Sequence, residues 1–278
     1  MSNEYWVYQD YFIFKPHFNE PVENYVNIIK DYKKLIFSDF NDLESNIYPD
    51  EKFIKYYTGS IFNKPLSNSF EQLDCLKELT FGNEFSQPLE NSLLALVQLE
   101  KLTFGFEFSQ PLGNSLSNLT QLKILIFGCL FNEPVYDSLN KLVQLEELKF
   151  DNNFNQPISN LLVCLTKMKK ITLGKEFNQE LFLPSNIKIL KLDLVTNHNN
   201  QNFIDNLPNT IEELYLYSRF NLELNNLPNS IKKISFGKYS KYNKSLNNLP
   251  RSLEEINLPY GTEIEIKNKP ENCKIIYL

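Results

Sequence analysis

Hydrophobic and polar residues alternate in short stretches that recur along the chain at a nearly constant interval. The clearest of these stretches are KKLIF (33–37), KELTF (77–81), EKLTF (100–104), KILIF (123–127), EELKF (146–150) and KKITL (169–173). Such alternation is typical of a strand that buries one face and exposes the other. The pattern therefore predicts many short strands, each with its central apolar side chain in a core.

A phenylalanine follows these strands with the same period, within the motif F-(N/S)-x-(P/E)-(L/V/I). It recurs in steps of 23 residues at Phe62, Phe85, Phe108, Phe131, Phe154 and Phe177. Two earlier residues, Phe40 and Phe18, extend the series in steps of 22 residues. We predict that these rings enter the core where each turn leaves its strand.

In the last third of the chain a Leu-Pro or Lys-Pro dipeptide precedes each strand motif. The segments are LPSNIKILKL (183–192), LPNTIEELYL (207–216), LPNSIKKISF (227–236), LPRSLEEINL (249–258) and KPENCKIIYL (269–278). Because proline interrupts a helix, the connecting segments here should be more extended. The predicted strand centres are Leu35, Tyr57, Leu79, Leu102, Leu125, Leu148, Ile171, Leu190, Leu214, Ile234, Ile256 and Ile276, with one more near Phe12 or Ile13.

The pattern LxxLx(L/F) followed by a turn is the signature of leucine-rich repeats. A unit of about 20–24 residues buries its apolar side only by stacking on its neighbours. The sequence therefore predicts a leucine-rich-repeat solenoid of about 12–13 repeats, with residues 1–278 as a single domain. We expect a curved right-handed coil with one parallel β-sheet on its concave face. Short helical, 3-10 or extended segments should cover the convex face.

The two ends of the predicted stack differ. The aromatic segment 1–14 should cap the first repeat, with Trp6 largely buried. Residues 267–278 read as a terminal repeat strand with an open edge, which offers unpaired main-chain groups. We expect a monomer; the alternative is a homodimer through this C-terminal edge strand.

Four segments carry a specific family resemblance: FNKPLSNSF (62–70), FSQPLENSL (85–93), FSQPLGNSL (108–116) and FNQPISNLL (154–162). They resemble the FNIP-repeat branch of leucine-rich-repeat proteins, found in social amoebae and giant DNA viruses, over about residues 11–278. The resemblance implies a protein-interaction module without catalytic residues. Many members carry an F-box before their repeats, which implies a substrate-recruiting adaptor for a ubiquitin ligase. Here the repeats begin near residue 11, so we expect an F-box-type component only on a separate chain.

Composition narrows the function further. The net charge is −6, with lysine and acidic residues interspersed, which argues against a nucleic-acid surface. No apolar run reaches the roughly 18 residues that a membrane span needs. The four cysteines lie far apart, which predicts free thiols in the cytoplasm, the host-cell cytoplasm if the protein is viral. Neither histidine has a metal-spaced partner and no phosphate loop is present, so we expect no metal, cofactor or enzymatic activity.

Two sets of side chains remain as candidate functional residues. Outward strand positions that suit recognition of a partner protein are Ile124, Ile126, Lys149, Lys170, Ile189, Lys191, Tyr215 and Tyr217. The asparagines that follow the repeat phenylalanine form the second set: Asn63, Asn132, Asn155 and Asn178. Stacked amides can satisfy main-chain groups at the turns, which predicts a structural ladder; the alternative is a ligand-binding row.

Overall fold

The computed structural model describes residues 4–47, 59–194, 201–217 and 219–278. The chain divides into two compact units, residues 1–145 and 146–278. Each unit is a succession of short strands joined by turns and return segments, with few short helices. The predicted leucine-rich-repeat fold is confirmed.

The first unit contains six strands in its described residues. They are β1 (Tyr5–Tyr8), β2 (Tyr11–Phe14), β3 (Lys34–Phe37), β4 (Glu78–Thr80), β5 (Lys101–Thr103) and β6 (Ile124–Ile126). β1 pairs antiparallel with β2, and the strands from β2 to β6 are parallel and adjacent in chain order. The helical segments are a 3-10 turn (Val22–Tyr25), α1 (Val26–Ile29), α2 (Leu43–Ile47) and α3 (Tyr136–Leu139).

The second unit contains seven strands in its described residues, parallel and adjacent in chain order. They are β7 (Glu147–Lys149), β8 (Lys170–Leu173), β9 (Ile189–Leu192), β10 (Glu213–Leu216), β11 (Lys233–Phe236), β12 (Glu255–Leu258) and β13 (Lys274–Tyr277). Two helices lie between them, α4 (Ser159–Cys164) and α5 (Gln201–Asp205). The described segments before β9, β11, β12 and β13 contain no helix, as the Leu-Pro and Lys-Pro dipeptides predict. The prediction is wrong before β10, because α5 ends at Asp205, just ahead of the Leu207-Pro208 dipeptide, which stops the helix without preventing it.

The strands align so that equivalent apolar residues meet in the core. Leu79 pairs in register with Leu102, and Leu102 pairs with Leu125. In the second unit Leu190 and Leu214 are partners in the same way. All five side chains are fully buried. These strand centres are therefore confirmed, and stacked repeats bury what a single repeat would expose.

Phenylalanine rings form two columns through the core of the first unit. Phe104, at the end of β5, stacks between the rings of Phe81 and Phe127 at centroid distances of 5.6 and 5.4 Å. Phe108, in the following turn, lies 6.1 and 6.0 Å from its counterparts in the neighbouring repeats. The columns contact each other through Phe104 and Phe108, whose centroids are 4.0 Å apart. Stacked pairs of this kind stabilise beyond their area burial by about 0.5–1.5 kcal/mol.

The periodic series is wrong at Phe40. The β3 strand pairs directly with β4, and Phe62 stacks on Phe18 at 5.7 Å, so the column passes over Phe40, which is half-buried. The reason lies in the residues after Phe40, because the Oδ1 atom of Asp42 accepts the main-chain N–H of Ser45 at 2.7 Å. This cap starts α2. The predicted strand centre Tyr57 lies outside the described residues.

Asp39, which follows β3, binds the main chain of two later segments. Its Oδ1 atom accepts main-chain N–H groups of Ser60 at 2.7 Å and Asn83 at 2.8 Å. Burial raises the pKa of its carboxyl group, while the two hydrogen bonds oppose that shift. Asp39 thus ties Ser60 and Asn83 to the end of β3.

Both ends of the chain differ from the predictions. Trp6 is half-buried rather than largely buried, because β1 extends the sheet as a strand instead of covering the end of the core. Its ring lies 5.1 Å from the ammonium group of Lys15. In β13 the residue opposite Ile256 is Ile275, so the strand centre predicted at Ile276 is wrong by one position. Ile276 therefore points to the opposite face and is 42% exposed.

Charged residues just before the strands form ion pairs between neighbouring repeats. Glu100 pairs with Lys77 at 2.8 Å and with Lys123 at 2.6 Å. Glu212 occupies the same position in the second unit, between Lys188 and Lys232. Hydrogen bonds from Lys123 and Lys77 lower the pKa of the Glu100 carboxyl group to about 2.

We expect Phe108→Ala to lower the free energy of unfolding by about 3–5 kcal/mol, because a fully buried ring is replaced by a cavity. The control is Lys101→Ala in the same unit, where a half-buried lysine on the sheet face should cost under about 0.5 kcal/mol. Urea unfolding compares the two variants. Equal losses would contradict the assigned orientation of β5.

We expect Tyr242→Phe to leave the protein as stable or more stable. The hydroxyl of Tyr242 is buried without a hydrogen-bond partner among the described residues, and its ring packs 4.7 Å from that of Phe236. An unsatisfied buried hydroxyl costs about 1–3 kcal/mol. Thermal unfolding measures the change, with Tyr260→Phe, at an 88% exposed position, as the control. A clear loss of stability would mean that the hydroxyl has a partner.

The contribution of Glu100 to stability should depend on pH. Its pKa falls from 4.5 to about 2 on folding, so its stabilising effect is present above pH 4.5 and is lost as the pH falls toward 2. The difference in unfolding free energy between wild type and Glu100→Gln should therefore shrink over that range. Molar salt at pH 7 should reduce it as well. A difference independent of pH would rule out the ion pairs as its source.

Candidate interaction surface

Three rows of residues make up the outward sheet face of the second unit. The first row holds the residues before each strand centre: Glu147, Lys170, Ile189, Glu213, Lys233, Glu255 and Lys274. The second row holds those after it: Lys149, Thr172, Lys191, Tyr215, Ser235, Asn257 and Ile276. The third row continues beyond the strands with Asp151, Gly174, Asp193, Tyr217 and Gly237. Each row crosses the strands at nearly right angles.

The structure brings six of the eight predicted partner-binding residues together. They lie on or next to four adjacent strands, β7 to β10, and all are half-buried: Lys149, Lys170, Ile189, Lys191, Tyr215 and Tyr217. The other two, Ile124 and Ile126, lie on β6 in the first unit, where they neighbour Lys101 and Thr103. The six residues of the second unit therefore form the candidate interaction surface.

The lysines of this surface differ in their partners. Lys149 pairs with Asp151 at 3.1 Å, and Lys170 pairs with Glu147 at 2.6 Å. Lys191 has no carboxylate within 4.0 Å among the described residues, and its ammonium group lies 4.4 Å from the ring centroid of Tyr215. Burial, followed by the charge of Lys170, lowers the pKa of Lys191, and the neighbouring glutamates only partly oppose this.

The two tyrosines are held in defined positions. The hydroxyl of Tyr215 donates to the Oε2 atom of Glu213 at 2.6 Å, and its ring stacks with that of Tyr217 at 6.5 Å. Burial and the hydrogen bond to Glu213 raise the pKa of Tyr215, so it stays protonated at neutral pH. Pre-ordered aromatic side chains of this kind are common anchors in protein interfaces.

A cavity of about 280 Å³ opens on the same face. Its floor is formed by β8, where Thr172 and Gly174 are short, while lysine and aspartate occupy the equivalent positions on both neighbouring strands. Gly174 is required here, because a Cβ atom would lie 2.3 Å from the main-chain carbonyl of Asp151. The sequence pattern did not identify Thr172, Gly174 or Asp193 as candidate site residues. The signal for these residues lies in a comparison of equivalent positions between repeats, because β8 and the residue after it carry threonine and glycine where both neighbours carry longer side chains.

Asp193 lines the cavity, and its carboxyl group has no hydrogen-bond donor among the described residues. Its Oδ1 oxygen is buried and accepts no hydrogen bond from the described residues, while its main-chain N–H donates to the carbonyl of Leu173 at 2.9 Å. The strand position is thus fixed, but the carboxylate lacks a donor. A buried polar atom without a partner is costly.

The asparagines after the repeat phenylalanine lie along the turns, away from this cavity. The Oδ1 atom of Asn63 accepts the main-chain N–H of Ser86 at 3.1 Å and the side-chain amide of Gln87 at 2.9 Å. Asn155 accepts equivalent hydrogen bonds from Asn178 at 2.9 Å and Gln179 at 3.0 Å. Asn132 occupies the same position in its own repeat and is exposed. The amides thus satisfy main-chain donors of the next repeat.

The described ranges of the chain hold no group of three His, Cys, Asp or Glu residues arranged to bind a metal ion. None of the helices in these ranges combines the length and the apolar character that crossing a bilayer requires.

A family model matches part of the chain, and two of the solved structures with a similar fold are CroV588 and an internalin. The FNIP Repeat model matches residues 198–239 and 222–261. CroV588, a giant-virus protein described as a novel circular LRR protein, is 21% identical, with a TM-score of 0.58 over 99% of this chain. An internalin (InlF) from Listeria monocytogenes is 14% identical, with a TM-score of 0.50 over 96% of this chain and 86% of its own. Both share the fold.

The chain spans 51% of the length of CroV588. No curated protein matches the chain in sequence. The similarities therefore describe the repeat and its fold, and the function must be argued from the surface itself.

Proposed function

We propose that this chain, which has the fold of leucine-rich-repeat proteins and matches the FNIP Repeat model over residues 198–239 and 222–261, is a non-catalytic scaffold that binds a partner protein on its sheet face. The observation that carries the proposal is the candidate interaction surface, where lysines, tyrosines and an isoleucine occupy adjacent outward positions. Tyrosine is enriched among the residues that dominate interface energetics. Aromatic side chains also lose little conformational entropy on binding, since they rotate about only two bonds.

The repeat itself supports this role. Each strand places its central residue in the core and the two flanking residues on the face. Outward residues are therefore free to vary from repeat to repeat without disturbing the stack. An extended sheet of this kind offers a partner many side chains at a fixed spacing of about 4.8 Å between strands.

A second candidate function is a substrate-recruiting adaptor for a ubiquitin ligase, acting with a separate F-box-type component. It rests on the family resemblance alone, which is an argument by analogy. In both cases we place the protein in the cytoplasm, the host-cell cytoplasm if it is viral. The two functions use the same surface and differ in which proteins it captures.

Site-specific photo-crosslinking tests the scaffold function. We expect Tyr217→p-benzoylphenylalanine, on the sheet face, to crosslink a discrete protein from amoebal lysate. The matched control is the same replacement of Val163, which is 69% exposed on α4 in the same unit. Mass spectrometry identifies the captured protein. Ubiquitin-ligase subunits would favour the adaptor function, and equal labelling from both positions would contradict binding on the sheet face.

A further inference from the structure

The cavity on the sheet face has one wall whose charges are paired. On this side Lys149 pairs with Asp151, and Lys170, on the floor strand, pairs with Glu147. Each lysine has a carboxylate and each carboxylate has a cation. The four charged groups on this side of the cavity are therefore already paired with one another and do not need a counter-charge from an occupant.

The opposite wall has two unmet groups. Lys191 interacts with the Tyr215 ring but with no carboxylate within 4.0 Å among the described residues. Asp193, directly after the same strand, is half-buried, and its carboxyl group has no cation or side-chain hydrogen-bond donor among the described residues. The two side chains are not within ion-pair distance of each other, although both line the cavity. An occupant that satisfies this wall must offer one acceptor and one donor side by side.

The opposite charges of Lys191 and Asp193 determine which chemical groups fit this wall of the cavity. A carboxylate would satisfy Lys191 but place a second acceptor against Asp193. An ammonium or guanidinium group would satisfy Asp193 but face Lys191 and its neighbours Lys149 and Lys170. An apolar group would leave both Lys191 and Asp193 without a partner. A carboxamide carries a carbonyl acceptor and an amide donor on one planar, neutral group, which matches both.

We propose that this cavity is a binding pocket for the side-chain carboxamide of a glutamine or asparagine on the partner protein. The proposal deepens the scaffold function and rests on it. Thr172 and Gly174 form a floor between longer neighbours, so a group on a side-chain stem reaches it, whereas a main chain crossing the sheet does not. Tyr217 also lines the cavity.

Short peptides that differ at one position test the pocket. The probes are acetylated, N-methylamide-capped pentapeptides of alanine with a central glutamine, glutamate, lysine or methionine. Their dissociation constants are measured from the NMR shifts of the Thr172 and Gly174 amides in the complete chain. We expect the glutamine peptide to bind about tenfold more tightly than each of the others, since each of these leaves Lys191, Asp193 or both without a partner.

Two substitutions should change which of the four peptides binds most tightly, one toward glutamate and the other toward lysine. Asp193→Asn removes the carboxylate, so the glutamate peptide should now bind best through Lys191. Lys191→Met removes the cation, so the lysine peptide should bind best through Asp193. Lys101→Met, on the sheet face of the first unit, is the matched control and should leave the preference for glutamine unchanged. The amide spectra of all variants verify that the fold is retained.

Several outcomes would overturn the proposal. Equal affinities for the four peptides would indicate main-chain binding, and no saturable shift below about 10 mM would mean that the pocket is not a binding site. A wild-type preference for glutamate would indicate an anion site. Should a variant misfold, the wild-type peptide series still decides. Crosslinking at Tyr217 that persists in both pocket variants, without any peptide preference, would leave the scaffold function standing and reject the pocket.

Discussion

The stacking of equivalent side chains between neighbouring repeats is the interaction on which the rest of this structure depends. Phe104 and Phe108 illustrate it, because each ring is held between the corresponding rings of the repeats on either side. One repeat alone would leave these rings in water. The cost of ordering a short strand and its return segment is offset only when neighbours bury the same surface together.

This constraint also determines where the protein is free to carry function. Alternate side chains of a strand point to opposite faces. The core therefore requires leucine at positions 190 and 214, but it does not restrict the outward residues that follow them, Lys191 and Tyr215. The outward rows are therefore the positions at which one repeat differs from the next. The cavity arises from such a difference, because β8 places threonine and glycine where its neighbours place lysine and aspartate.

Most strand centres were predictable, because the spacing of apolar residues reports directly on which side chains stack. The errors occurred where a local interaction competes with the period. Phe40 has the expected spacing, but Asp42 caps a helix and the ring column continues from Phe18 to Phe62 instead. At the C-terminus the spacing from the Lys-Pro dipeptide favours Ile276 as the strand centre, but the pairing with β12 places Ile275 opposite Ile256.

The sequence by itself determined the repeat, the burial of its central residues and the outward position of the candidate lysines and tyrosines, because these follow from a period along one chain. Only the tertiary structure decided which outward residues become neighbours and which charges remain unpaired. Lys149 and Lys191 are 42 residues apart, yet both border Thr172 on adjacent strands. Whether Lys191 or Asp193 finds a counter-charge depends on distances between repeats, and no pattern within one repeat contains that information.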